Sequence, residues 1–148
     1  RCIDQLVNIA ENVEKHPGLR FANKLNTDSD KQKLSLAAVE LAKSLGVRCI
    51  VVITRRGVMA ELVCNCRPVY SDIYAFTNVS QARRTMMMGR GVRPFRISFS
   101  QDPEKTLQTA FNVLKGREGF QSEEKVVVIS DVLAGSGKID AIQIRHLP

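Results

Sequence analysis

A chain of 148 residues, 44% hydrophobic and carrying a net charge of +7, has the length of one domain and enough apolar side chains for an ordinary core. Those values exclude a disordered polymer, and no apolar run nears the roughly 20 residues that a membrane-spanning helix needs. No signal peptide is visible, so a cytoplasmic protein without a membrane partner is the expectation, and an opening Arg1 in place of Met reads as a piece of a longer protein.

In chain order, Leu6, Ile9, Ala10 and Val13 fall at helical spacing over residues 2–15, and His16-Pro17-Gly18 ends that helix. Residues 19–31 are polar and irregular, which places a linker over 17–32 between a leading helix (1–16) and a regular domain (33–148). Leu34, Ala37, Ala38, Leu41, Ala42 and Leu45 form one helical stripe, stopped by Gly46. A strand is expected over 48–53, a helix over 58–66, a strand over 73–77, a helix over 79–88 and a short strand within 92–99. A helix over 103–115 follows, opened by Asp102-Pro103, then a strand over 126–130 and a last one within 139–147. Alternating strands and helices predict a sheet covered on both faces. The connection over 133–138 is too short for a crossover, which takes about a dozen residues, so the last strand returns antiparallel. The fold class is α/β: a three-layer α/β/α sandwich with a mixed sheet.

Cys2, Cys49, Cys64 and Cys66 form no disulfide framework, and Cys64-Asn65-Cys66 lacks the second ligand pair of a structural zinc site, so no metal is assigned to this segment. Arg83, Arg84, Arg90, Arg93 and Arg96 supply much of the positive charge, which favours an anionic partner. Few aromatics interleave with them, so nucleic acid is not the expected partner, and a solvated basic face or subunit contact is the ordinary reading. Met86, Met87 and Met88 are read as filling core and interface space.

Two glycine motifs fail on inspection. Gly135-Ser136-Gly137-Lys138 resembles the end of a P-loop, but Val132 and Ile139 occupy the positions of its first glycine and its hydroxyl, and a strand follows where a helix is needed. Gly89-Arg90-Gly91 lacks the third glycine of a dinucleotide fingerprint. No nucleophile elbow and no Cys-His or Ser-His-Asp set stands out, so no catalytic residue is assigned. The turn over 54–59 is different. It follows a strand and opens a helix, with Thr54 and Gly57 around Arg55 and Arg56, and serves either as a plain exposed connection or as a seat for an anion.

Several stretches in order resemble the C-terminal regulatory domain of pyruvate kinase: AAVELAK at 37–43, IVVITRRG at 50–57, LV at 62–63 and RP at 67–68. FTN at 76–78, AR at 82–83, RGVRP at 90–94, KVVVIS at 125–130 and GSG at 135–137 continue the series, and residues 2–11 are similar to the last helix of that family's catalytic barrel. The resemblance implies a five-stranded sheet of order 3-2-1-4-5 with the last strand antiparallel. It implies that Thr54, Arg55, Arg56, Gly57, Val58 and Met59 hold an effector phosphate, with Gly135, Ser136 and Gly137 closing the other side. The full enzyme would transfer a phosphoryl group from phosphoenolpyruvate to ADP, the last step of glycolysis, using Mg²⁺ and K⁺ held outside this segment. Its partners would be the remaining domains of the same enzyme, a phosphorylated small-molecule effector and further copies in a homo-tetramer, and this segment alone would be inactive. Val58 and Met59 depart from the polar or basic residues usual there, Leu133 stands where some members carry an arginine for a second phosphate, and Asp131 adds a nearby negative charge. Two alternatives stand beside this reading: a free-standing anion-sensing module of the same fold, and a basic nucleic-acid-binding domain.

Overall fold

Strand β1 (Cys49–Ile53) is buried along its whole length, and its side chains divide by parity. Ile50 and Val52 enter one apolar cluster, while Cys49, Val51 and Ile53 enter a second on the opposite face of the sheet. A strand buried on both sides carries an unbroken apolar run, which is why this stretch alternates in direction without alternating in polarity. The computed structural model describes residues 2–15, 28–131 and 140–148.

Around β1 lie β2 (Asp72–Thr77), β3 (Val92–Arg96), β4 (Lys125–Ser130) and β5 (Ala141–His146), in the order β3-β2-β1-β4-β5. The first four are parallel, and β5 returns antiparallel on β4, as expected of so short a connection. One face is covered by α2 (Asp30–Leu45), α3 (Val58–Asn65) and α4 (Ser80–Met86), through Ala38, Ala42, Met59, Ala60, Val63 and Met86. The other is covered by α5 (Pro103–Glu118), whose Leu107, Ala110, Phe111 and Leu114 meet Val51, Phe76 and Val128. Burying a side chain such as Phe111 contributes about 1.5–3 kcal/mol. The leading helix α1 (Cys2–Lys15) carries its apolar residues exposed, Ile3 at 75% and Val13 at 66%.

Helix ends follow local chemistry. Ser29 accepts from the Gln32 N–H (3.3 Å) while the Gln32 side chain accepts from the Ser29 N–H (3.0 Å), a reciprocal cap that starts α2 at Asp30, ahead of the regular stripe that begins at Leu34. Asp102 caps α5 by accepting from the Glu104 N–H at 3.0 Å, and Gly119 ends that helix in the left-handed region, φ +69°. α5 therefore runs past residue 115, and β3 is shorter than the 92–99 window allowed. Of the three consecutive methionines, Met86 is core, whereas Met87 and Met88 are exposed at 58% and 89% and fill no core space.

Candidate functional site

The strand order reverses between β1 and β4, whose last paired residues are Ile53 and Ser130. In an open α/β sheet the crevice outside the carboxyl ends of the strands at such a reversal is where ligands sit. The residues that follow, Thr54 and Asp131, stand side by side there, and the Asp131 N–H donates to Ile53 O at 3.2 Å.

Thr54 is fully buried. Its N–H donates to Phe76 O (2.9 Å), its Oγ1 accepts from the Gly57 N–H (3.2 Å), and the same hydroxyl donates to Asp131 Oδ2 (3.3 Å). Thr77 holds the next residue by donating to Arg55 O (2.9 Å), and its Oγ1 accepts from the Val79 N–H (3.1 Å), which ties this turn to the one that opens α4. The turn backbone is thus fixed from below by two buried threonines.

Gly57 has φ +85°, a region that side-chain-bearing residues avoid, and a Cβ there would lie 3.0 Å from Met86 Cγ. As the residue capping α3 it offers no side-chain hydrogen bond to the helix start. The first-turn N–H groups, those of Val58, Met59 and Ala60, have no intrahelical acceptor and point along the positive end of the helix dipole. Arg55 and Arg56, just before this end, are exposed, and among the described residues no ion pair engages either guanidinium. Val58 is 40% exposed, whereas Met59 is fully buried and its Sδ accepts from Ser35 Oγ at 3.3 Å, so Met59 meets the turn only through its backbone. Gly135, Ser136 and Gly137, with Leu133, lie outside the described residues.

On the far side of Thr54 stands a charged group that local sequence did not reveal. Lys31, in the first turn of α2, donates to Asp131 Oδ2 (3.3 Å) and pairs with Asp140 Oδ1 (3.6 Å). The Asp131 side chain is 11% exposed, and its Oδ1 is buried with no hydrogen-bond partner. Lys31 had fallen in the polar linker; the pairing of β1 with β4 brings Thr54 and Asp131 together, and the packing of α2 against β4 adds Lys31.

The described residues at this site do not fit a metal. The lysine ammonium already occupies the place between Asp131 and Asp140, and no group of three His, Cys, Asp or Glu is positioned for one among the described residues. Among the described residues, therefore, no cage is built for the Mg²⁺ and K⁺ implied for the full enzyme. Three cysteines offer no activated thiol either: burial pushes Cys49, Cys64 and Cys66 above their ordinary 9.0, and the Cys64 Sγ donates to Arg90 O at 3.3 Å.

From Gly57 and Arg56 a groove of ≈ 620 Å³ runs between α3 and α4 past Cys64 and Met86 to Arg67 and Arg90. A second cavity, ≈ 440 Å³, lies at the amino ends of the strands beside Arg48, Asp72 and Phe120, away from the strand-order reversal. The basic surface is not uniform: Arg93 pairs with Glu118 at 2.8 Å, and Arg96 donates to Ser80 Oγ at 2.8 Å.

Sheet order, the antiparallel closing strand and a glycine-opened turn at the reversal define a mixed-sheet α/β/α domain. The family pattern described as "Pyruvate kinase, alpha/beta domain" matches residues 32–145, and the chain belongs to that family as a pyruvate kinase C-terminal domain. It is 35% identical over 122 residues to "Pyruvate kinase isozyme A, chloroplastic" of Ricinus communis, covering 82% of this chain and 20% of that protein. The isozyme A of Nicotiana tabacum is 34% identical over 122 residues, covering 82% of this chain and 19% of that protein. Among solved structures, "Cryptosporidium parvum pyruvate kinase in complex with ADP" shares the fold with a TM-score of 0.73 at 22% identity, over 81% of this chain and 24% of that one. The chain spans about a fifth of the length of these plant relatives.

Proposed function

We propose that this chain is the regulatory, non-catalytic end of an enzyme that moves a phosphoryl group from phosphoenolpyruvate to ADP, with the turn over 54–59 as its anion seat. The observation that carries the reading is the opening of α3. An N-terminal glycine with no side-chain cap leaves the first-turn N–H groups unclaimed among the described residues, at the strand-order reversal and next to two exposed arginines in the chain. Charge-assisted hydrogen bonds to such an anion contribute about 1.5–3 kcal/mol each. The seat draws on backbone N–H groups and on Arg55 and Arg56, so it tolerates Val58 and Met59. Thr54 acts underneath it, because its hydroxyl proton is committed to Asp131. A single phosphate or sulfate suits this arrangement better than a sugar bisphosphate, because by the family resemblance Leu133 takes the sequence position where some members carry an arginine for the second phosphate.

In this reading residues 1–16 end the catalytic barrel, 17–32 join the domains, and 33–148 form the regulatory domain. The exposed apolar face of α1 would meet the preceding barrel, and β5, an edge strand, would contribute to a subunit contact of a homo-tetramer. Mg²⁺ and K⁺ belong with the barrel. A reducing compartment suits the four free thiols, and the chloroplastic names of the relatives make a plastid interior as good a fit as the cytoplasm.

The test is a calorimetric titration of the 148-residue chain with sulfate, glucose 6-phosphate and fructose 1,6-bisphosphate at fixed ionic strength, beside Arg55→Ala and Arg56→Ala. Each arginine removed should weaken sulfate binding about tenfold, since 1.4 kcal/mol is a factor of ten. Binding unchanged in both variants moves the site off this turn. Bisphosphate binding tenfold tighter than sulfate overturns the single-phosphate preference. The same chain should form no ATP from phosphoenolpyruvate and ADP above a protein-free blank.

A further inference from the structure

We infer that Asp131 is a built-in competitor for anions at the 54–59 turn and sets the affinity of that seat, an inference that rests on the anion-seat reading above. The carboxylate stands against the underside of the turn. Its Oδ2 is 3.3 Å from Thr54 Oγ1, which is in turn 3.2 Å from the Gly57 nitrogen, so the charge is two hydrogen bonds from the residue that opens α3.

Its charge is only partly compensated. Oδ1 is buried without a partner, and among the described residues the one ammonium that reaches Oδ2 is shared with a second carboxylate, Asp140, leaving the trio of Lys31, Asp131 and Asp140 with a net negative charge. Lys31 is itself 34% exposed, so solvent weakens its share of the neutralisation. An anion on the α3 N–H groups therefore meets a like charge through a largely dehydrated stretch of protein, where charges act more strongly than in water. Asp131 also takes the only hydroxyl proton that the turn itself offers. Because the oxygen of Thr54 already accepts from Gly57, its hydrogen turns toward a ligand only by leaving the carboxylate.

The arrangement gives opposite signs to two substitutions. Asp131→Asn keeps the shape and removes the charge; Lys31→Met keeps the carboxylate and removes its counter-charge. Sulfate titrations of the 148-residue chain, followed by the backbone amide shifts of Gly57, Val58, Met59 and Ala60, should give tighter binding in Asp131→Asn and weaker binding in Lys31→Met. A like charge within several Å across such a boundary corresponds to about fivefold in each direction. Raising salt should shrink the difference less than it weakens sulfate binding itself, because the carboxylate is buried and the arginines are exposed. Loss of binding in both variants would mark the cluster as purely structural, since loosening the turn lowers affinity whichever charge is removed, and would overturn the inference. Wild-type sulfate binding that maps to these amides and stays unchanged in Asp131→Asn overturns it too while leaving the anion seat intact. No sulfate shift at these amides in any of the three proteins overturns the anion-seat reading itself, and the inference with it.

Discussion

Gly57 provides the sharpest test of the turn, because two separate penalties meet there. Alanine at φ +85° costs about 1–2 kcal/mol in backbone strain. Its Cβ would lie 3.0 Å from Met86 Cγ and 3.3 Å from Sδ, tighter than ordinary contact, so the methionine or the turn must shift. That shift adds on the order of 1 kcal/mol, toward the low end of overpacking costs because methionine adapts. The unfolded chain loses freedom when glycine becomes alanine, which returns about 0.4–1 kcal/mol. The net loss for Gly57→Ala is about 2 kcal/mol, a fall of roughly 4–8 °C in Tm for a domain of this size. Urea unfolding should show a lower midpoint with an unchanged m-value. In a double-mutant cycle with Met86→Ala, the steric share of about 1 kcal/mol should vanish while the backbone share stays. A Gly57→Ala stability within about 0.5 kcal/mol of wild type would refute a left-handed glycine here, and additivity in the cycle would refute the contact with Met86.

Two further outcomes follow from the ends of the fold. Replacing the α5 cap, Asp102→Ala, removes the acceptor of the Glu104 N–H and should cost about 1 kcal/mol in urea unfolding; no loss would show that the cap does not hold that helix. Burial raises the Cys49 thiol well above its ordinary 9.0, so above about pH 9 the unfolded chain releases a proton that the folded one keeps. Stability from this group is therefore complete below pH 9 and declines above it, by up to about 1.4 kcal/mol per pH unit. Cys49→Ala should flatten that decline between pH 9 and 10.5 relative to wild type, and an unchanged slope would assign it to other groups.

The parallel strands were legible because burial on two faces forces long apolar runs, and Val126, Val127, Val128 and Ile129 carry no polar residue to confuse the reading. The antiparallel return of β5 followed from connection length alone, and the strand order came with the family resemblance. Boundaries were read less well for identifiable reasons. The Ser29–Gln32 cap is a sequence signature of a helix start, but it sits inside a polar stretch whose apolar period had not begun. Residues 87 and 88 continue an apolar run beyond α4, yet they face solvent, because Met86 already ends the contact of that helix with the sheet. At the site, the turn could be read from a strand that stops at a glycine. Its neighbour Asp131, 77 residues away, came only with the family resemblance that sets β1 beside β4, and Lys31, placed in the linker, did not come at all.

That register divides the chemistry of the turn between two kinds of group. One side is backbone: N–H groups at the start of α3 that exist whatever side chains Val58 and Met59 carry, provided residue 57 can hold a positive φ. Selection at those two positions is then free to serve packing, and Met59 does so by pointing away from the turn to meet Ser35. The other side is a single carboxylate reached across the sheet, which on the proposed reading would retune the seat without altering its geometry, because Thr54 would accept from Gly57 whether or not its proton went to Asp131. Shape is therefore set by residues 54 and 57 and charge by residue 131 with its partner at 31. On the proposed anion-seat reading, a chain of this family could keep the first pair, and with it the fold of the turn, while exchange at the second pair would change how strongly the seat holds an anion.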